Sequence, residues 1–439
     1  MAREQYTRQF QKTATLSAGR GFRIDHSMGA INIRTHNRNE VDVRANIRCS
    51  ADTATEAKEC ADRIQIRVDE GGGTVYVRTE YPDQNGFGPW RRNLSFSAEY
   101  EIVVPETSPV EVRNRFGPIA ITGVHAPSVI TNTNAPVRFT DGRGRQRIEN
   151  AFGEVDVRNN DGDVSIRNTN GRVNVADVTG AMEVSDRFND VRILNVGRGV
   201  TVTANNCSIH IENTGGAVSV TNSFGPVRVW DAKADATVMN QNGEIDARGI
   251  AGAANLRTTF SAIRATRIGK TFTVHGQNAT ITADSIGDAA TVETTFGGID
   301  LRAVKGGARA TAGNSFIKLT DIGGEVYAKT SFNGVTVSDA AGPITVEGNN
   351  NSVTVSARAA QRCQPITLSS TFAPIRVTLP QGVGYNLTAH TTFGHIHSEP
   401  ELTIGGDVSR DSITGRIAGG GCELRLHGQN SNIDIMKGR

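Results

Sequence analysis

The stretch Phe152-Gly153-Glu154-Val155-Asp156-Val157-Arg158-Asn159-Asn160-Asp161-Gly162-Asp163-Val164-Ser165-Ile166-Arg167-Asn168-Thr169 decides the fold. Val155 and Val157, then Val164 and Ile166, are β-branched residues two apart with polar residues between them, the pattern of two half-buried strands. Gly153, the run Asn159–Gly162 and Asn168 are corner residues that tolerate tight or left-handed backbone. The next 18 residues repeat the pattern, with Val173 and Val175 and then Met182 and Val184.

Outward from this unit, Phe116, Phe152, Phe188, Phe224, Phe260, Phe296 and Phe332 stand 36 residues apart, and Asn134, Asn170, Asn206, Asn242, Asn278, Asn314 and Asn350 mark the midpoints. Fourteen successive 18-residue units begin at these residues, and the fourth position of every one is Ile or Val, from Ile119 and Val137 to Val335 and Val353. Copies of one unit bury their apolar faces only against neighbouring copies. Two strands per unit exclude a helical repeat, and parallel stacking places each Ile or Val above its predecessor. The expected fold is all-β, a parallel β-solenoid (β-helix).

A rung could hold 18 residues or the 36 of the Phe/Asn super-repeat. The outward charges favour 18. At position five, Arg192, His210, Arg228, Asp246 and Arg264 follow one another at 18-residue intervals. A 36-residue rung would stack three Arg in one ladder at ~4.8 Å, where like charges repel. An 18-residue rung interleaves His210 and Asp246 and sets Asp300 beside Lys318.

The flanks depart from the repeat. Met28-Gly29-Ala30-Ile31-Asn32-Ile33 reads as one degenerate rung, and Thr53-Ala54-Thr55-Glu56 as a capping box opening a helix to about Arg63. Strands are expected over 64–68, 74–79 and 97–104, with a mobile loop over 82–92. The expected organisation is an N-terminal α+β cap with one degenerate rung over 1–112, a β-solenoid over 113–410, and a closing rung over 411–439. That rung carries Leu424, Leu426, Ile433 and Ile435.

The chain has 47 basic and 45 acidic residues among 439, so net charge implies no nucleic-acid partner. Its 48 Gly and 5% aromatic residues suit many tight corners between thin strands. No apolar run approaches the ~20 residues of a membrane span. The opening Met1-Ala2-Arg3-Glu4-Gln5-Tyr6 is not the charged-then-apolar pattern of an export signal. Two locations stay open: cytoplasmic, or exported to a bacterial envelope or extracellular space after signal removal. Among the five cysteines, Cys49 could pair with Cys60 and Cys363 with Cys422, leaving Cys207; spacing does not decide pairing.

With motifs such as Ser223-Phe224-Gly225-Pro226-Val227 and Gln241-Asn242-Gly243-Glu244-Ile245, the chain resembles the bacterial "putative adhesin" domain family. The resemblance takes in Tyr100-Glu101-Ile102-Val103-Val104-Pro105 and the tail Gly419-Gly420-Gly421-Cys422-Glu423-Leu424-Arg425-Leu426. It implies an envelope or surface β-solenoid without established catalytic residues.

Several constellations could carry chemistry. His395, His397 and Glu399 alternate on one strand face and are candidate metal ligands, with His390 nearby. Asn159-Asn160-Asp161-Gly162-Asp163 has calcium-loop residues but not the full ligand set, and suits a corner better. Glu154 and Asp156 share a face, yet their 18-residue neighbours Arg172 and Asn174 suit a salt-bridged surface rather than a glycosidase pair. Trp230, Trp90 and Phe87 could stack on sugars. The Phe column is read as corner packing. No cofactor is expected. The function expected is non-catalytic structural or adhesive contact, multivalent toward cell-surface polysaccharide or protein. A self-assembling filament stacking end to end on copies of itself is the alternative, because little sequence follows Ile433–Ile435. A carbohydrate-active β-helix enzyme is the third reading.

Overall fold

A computed structural model describes residues 3–81, 94–359, 363–405 and 409–438. The expected loop over 82–92, with Phe87 and Trp90, lies outside them. The protein is an all-β parallel β-solenoid with 18-residue rungs, in two compact units, Met1–Gly216 and Ala217–Arg439.

In the first unit the strand Val155–Asp161 lies between Val137–Arg143 and Val173–Val178, all parallel, with Val155 opposite Val137 on one side and Val173 on the other. The second strand of each rung stacks in the same register, Val164 against Met182 and Ile166 against Val184. Each of these partners is 18 residues away, and Arg192 faces His210 as the charge pattern required. Val137, Val155, Val173 and Val191 are fully buried, each contributing on the order of 2 kcal/mol of hydrophobic stabilisation.

Polar residues also stack inside. Asn114, Asn132, Asn150 and Asn168 form a buried column just before the Phe/Asn corner. Each Nδ2 donates to a corner carbonyl: Asn132 to Ala135 O at 2.9 Å, Asn150 to Gly153 O at 3.1 Å, Asn168 to Gly171 O at 2.8 Å. Buried corner carbonyls would otherwise lack donors. Asp186 takes the next place in the column.

The N-terminal end of this unit is built out of chain order. Ile31–His36 pairs in parallel with Ile119–Thr122 on one side and Ser95–Pro105 on the other. Gly21–Asp25 likewise lies between Val110–Arg113 and Thr74–Glu80. The degenerate rung is thus an inner layer. Antiparallel strands Glu40–Ala51 and Glu4–Thr15 follow Ser95–Pro105, and Gln65–Gly71 follows Thr74–Glu80. The helix Ala54–Arg63 starts at the expected capping box, with Glu56 N–H donating to Thr53 Oγ1 and Thr53 N–H to Glu56 Oε2. Cys60 on its buried face is disulfide-bonded to Cys49.

In the second unit Ile245–Ile250, Ile263–Ile268, Ile281–Ile286, Ile299–Val304 and Ile317–Ile322 stack in unbroken register, and Asp300 faces Lys318. Its C-terminal end differs from the expected last turn. Cys422–Gln429 slots between Ile366–Thr371 and Tyr385–Thr392, and Ile433–Lys437 between Ile375–Leu379 and Ile396–Ser398. The last two strands are both interior layers, which is why Leu424, Leu426, Ile433 and Ile435 are all buried. Beyond it, Ser412–Ile417 pairs antiparallel with Tyr385–Thr392, and Leu402–Ile404 with Ser412–Ile417. A disulfide joins Cys363 to Cys422, and Cys207 remains a buried free thiol.

Candidate functional site

Most of the sequence candidates are dispersed or occupied. His395, His397 and Glu399 are exposed on and beside the strand Ile396–Ser398. Glu399 Oε2 accepts from Lys437 N–H at 3.0 Å, and the His395 N–H donates to Asn432 Oδ1. Among the described residues, no group of three or more His, Cys, Asp or Glu is arranged to hold a metal ion. His390 stacks instead on His427, ring centroids 5.8 Å apart.

The Asn159–Asp163 corner spends its side chains on neighbouring rungs. Asn159 Nδ2 donates to Asp141 Oδ1 at 2.9 Å, Thr179 Oγ1 to Asp161 Oδ1 at 2.7 Å, and Ala181 N–H to Asp163 Oδ1 at 2.9 Å. That last bond holds the Asp163 carboxyl below the usual range. Asp156 lies between Arg138 and Arg158, while Glu154 accepts from Asn174. These carboxylates belong to a salt-bridged surface. Trp230 donates to Asp246 Oδ2, with Arg248 5.1 Å from its ring centroid.

The Phe column is where the structure departs from the sequence reading. Phe116, Phe152 and Phe188 in the first unit and Phe224, Phe260, Phe296 and Phe332 in the second are 45–52% exposed. The corner interior is already filled beneath them, by the Asn column in the first unit and by Asn222, Thr258, Thr294 and Thr330 in the second, each donating to a corner carbonyl. A ring at this position has only solvent to enter. The sequence held the signal: a position that accepts Phe and Asn alternately is not a core position.

The Phe residues and their Asn spacers stack in direct register. Phe116, Asn134, Phe152, Asn170 and Phe188 are joined by successive parallel bridges. In the second unit Asn242, Phe260, Asn278 and Phe296 are successive ladder partners. Within each unit, exposed rings therefore recur along one edge at roughly 9.6 Å, two strand spacings of ~4.8 Å.

No protein-family model matches the sequence, and no curated protein matches it. Among solved structures, one described as a "putative cell adhesion protein from Clostridium sporogenes" matches at 7% identity over 98% of this chain and 100% of its own, with a TM-score of 0.15. Another, a "putative adhesin" from Bacteroides fragilis, matches at 10% identity over 79% of this chain and 97% of its own, with a TM-score of 0.18. Scores this low assign nothing to this chain. No helix among the described residues is long and apolar enough to cross a membrane.

Proposed function

We propose that this protein is a non-catalytic adhesive β-solenoid of a bacterial envelope or surface, holding a repetitive polymer through its phenylalanine column. The observation that supports it is the row of half-exposed rings, similar in exposure and evenly spaced within each unit. Large apolar side chains exposed at a regular repeat along one edge suit an interaction surface. A glycan presents flat apolar sugar faces at regular intervals, and stacking on one ring contributes on the order of 1 kcal/mol. Affinity then comes from number: each contact raises the effective concentration for the next. The two disulfides support an oxidising compartment and hence export.

Two features favour adhesion over end-to-end filaments. The last strand of the chain is an interior layer, and the short antiparallel strand Leu402–Ile404 lies beyond it rather than a long open rung. An enzyme reading finds no support in Glu154 and Asp156, both engaged by neighbouring rungs.

The test is co-sedimentation with insoluble bacterial cell-wall polysaccharide. Phe260→Ser should weaken binding only a few-fold, while Phe224, Phe260, Phe296 and Phe332 all changed to Ser should weaken it far more, leaving only the rings of the first unit. Full retention by the fourfold variant sinks the proposal.

A further inference from the structure

We infer a second binding site in the C-terminal unit: a basic trough that takes a linear acidic polysaccharide through its carboxylates. It lies at a different corner from the Phe column, after the first strand of each rung, and encloses about 760 Å³. It runs past the rungs from Gly249 to Asp321, four strand spacings or roughly 19 Å.

The trough arises from a local change in the corner residue. One left-handed position recurs in every rung. In the first unit it holds Asp141, Asn159, Asp177, Asn195 and Asn213. Their side chains bond along the stack, Asn195 Nδ2 to Asp177 Oδ1 and Asn213 Nδ2 to Asn195 Oδ1, both at 2.8 Å. In the second unit the same position holds Asp231, then Gly249, Arg267, Ser285 and Ala303, before Asp321 and Asp339 resume the acidic pattern. Arg, Ser and Ala pay a steric penalty in this conformation that Asn and Asp largely avoid. Over these rungs the side-chain ladder is missing, which opens the trough above buried Ile250, Ile268 and Ile286.

Its charge is one-sided. Arg267 and Lys305 line it, two rungs apart, and neither side chain has an ion pair or hydrogen bond among the described residues. The acid among the described lining residues, Asp321, is engaged by Arg358, which also bonds Asp339 Oδ1 at 2.7 Å. Two cations roughly 10 Å apart along the stack fit carboxylates repeated along a uronate chain. A peptide strand fits poorly, because the floor's amides are already spent. Gly269 N–H donates to Ile250 O, Gly287 N–H to Ile268 O and Lys305 N–H to Ile286 O. With these three main-chain donors spent, charge and shape carry the recognition of the ligand.

The experiment titrates the full chain with a galacturonate hexamer and, in parallel, with neutral maltohexaose, by calorimetry at low and high salt. The acidic oligomer should bind and weaken with salt, and the neutral one should not. Arg267→Gln with Lys305→Gln should weaken binding at least tenfold. Ser285→Asn, which restores an Asn at the left-handed corner, should block the trough without lowering the melting temperature. Phe260→Ser should leave this affinity unchanged, separating the trough from the Phe column. No heat with the hexamer, equal binding of both sugars, or affinity unaltered in the double variant would overturn the inference.

Discussion

The Cys207 thiol lies against the buried Asp186 carboxylate, Sγ to Oδ2 3.9 Å, with Asn205 O at 3.4 Å, at the place where the interior Asn column of the first unit is interrupted. One rung earlier Asn168 gives a proton to the corner carbonyl of Gly171; Asp186 has none to give when charged. Burial pushes its carboxyl up to about 6 from 3.8, partly offset by the backbone N–H groups of Arg187 and Phe188. Burial and Asp186 together push the Cys207 thiol up to about 12.

The raised Asp186 value means the folded chain holds this proton more tightly than the unfolded chain does. Its contribution to stability is fully present below about pH 4 and is lost as pH rises through about 6. Above pH 7 the charged carboxylate costs on the order of 3 kcal/mol. Asp186→Asn should therefore stabilise the N-terminal unit by about 2 kcal/mol at pH 8 and by much less at pH 4, measured by denaturant melts at both values. Equal stability of variant and parent at pH 8 would show that the carboxylate carries no burial cost.

Reduction should act unequally on the two disulfides. The Cys49–Cys60 bond spans 11 residues of sequence and Cys363–Cys422 spans 59. Constraining the longer loop removes more freedom from the unfolded chain, about 4 kcal/mol against about 3 kcal/mol. Cys363→Ser with Cys422→Ser should lower stability more than Cys49→Ser with Cys60→Ser. The reverse order in melts of the two double variants would contradict this.

The layer structure was legible because it is written fourteen times: Ile119 through Val353 recur at one spacing, and the Arg192/His210 and Asp300/Lys318 neighbours followed from charge alone. The order of layers at the ends was not legible. Leu424, Leu426, Ile433 and Ile435 have the same alternation as any rung, so periodicity cannot say which neighbours they join. The returning connections decide that, as they do for Ile31–His36 at the other terminus. The Phe column was legible as a column, and its alternation with Asn already argued against a core position; what the sequence left hidden is the competing occupant of the corner, whose inward direction only coordinates reveal. The basic trough was hidden for a related reason: Arg267 and Lys305 become a pair only once the left-handed corner is known to stack.

Close backbone stacking at the corners predicts a severe effect from a single methyl. A Cβ on Gly171 would sit 2.0 Å from Gly153 O, the carbonyl that also accepts from Asn150. Neither backbone can withdraw without breaking the ladder Val155–Val173 beside it. Gly171→Ala should cost at least ~2 kcal/mol, a large effect for so small a change. A circular-dichroism melt overlapping that of the parent would mean the corner yields more easily than its stacking implies.

A paired comparison in one rung tests whether the Phe edge is surface or structure. Val155 is fully buried between Val137 and Val173, whereas Phe152, three residues before it, is 52% exposed. Truncating the valine removes contacts on both neighbouring layers and leaves a void that the fixed strand spacing cannot close, so Val155→Ala should cost about 2 kcal/mol. Phe152→Ser removes a larger side chain but opens no interior space, because Asn150 already fills the corner beneath it. Its cost should stay within about 1 kcal/mol, with polysaccharide binding reduced. If chemical denaturation instead gives Phe152→Ser the larger loss, the rings are packing elements after all, and the adhesive edge loses its basis.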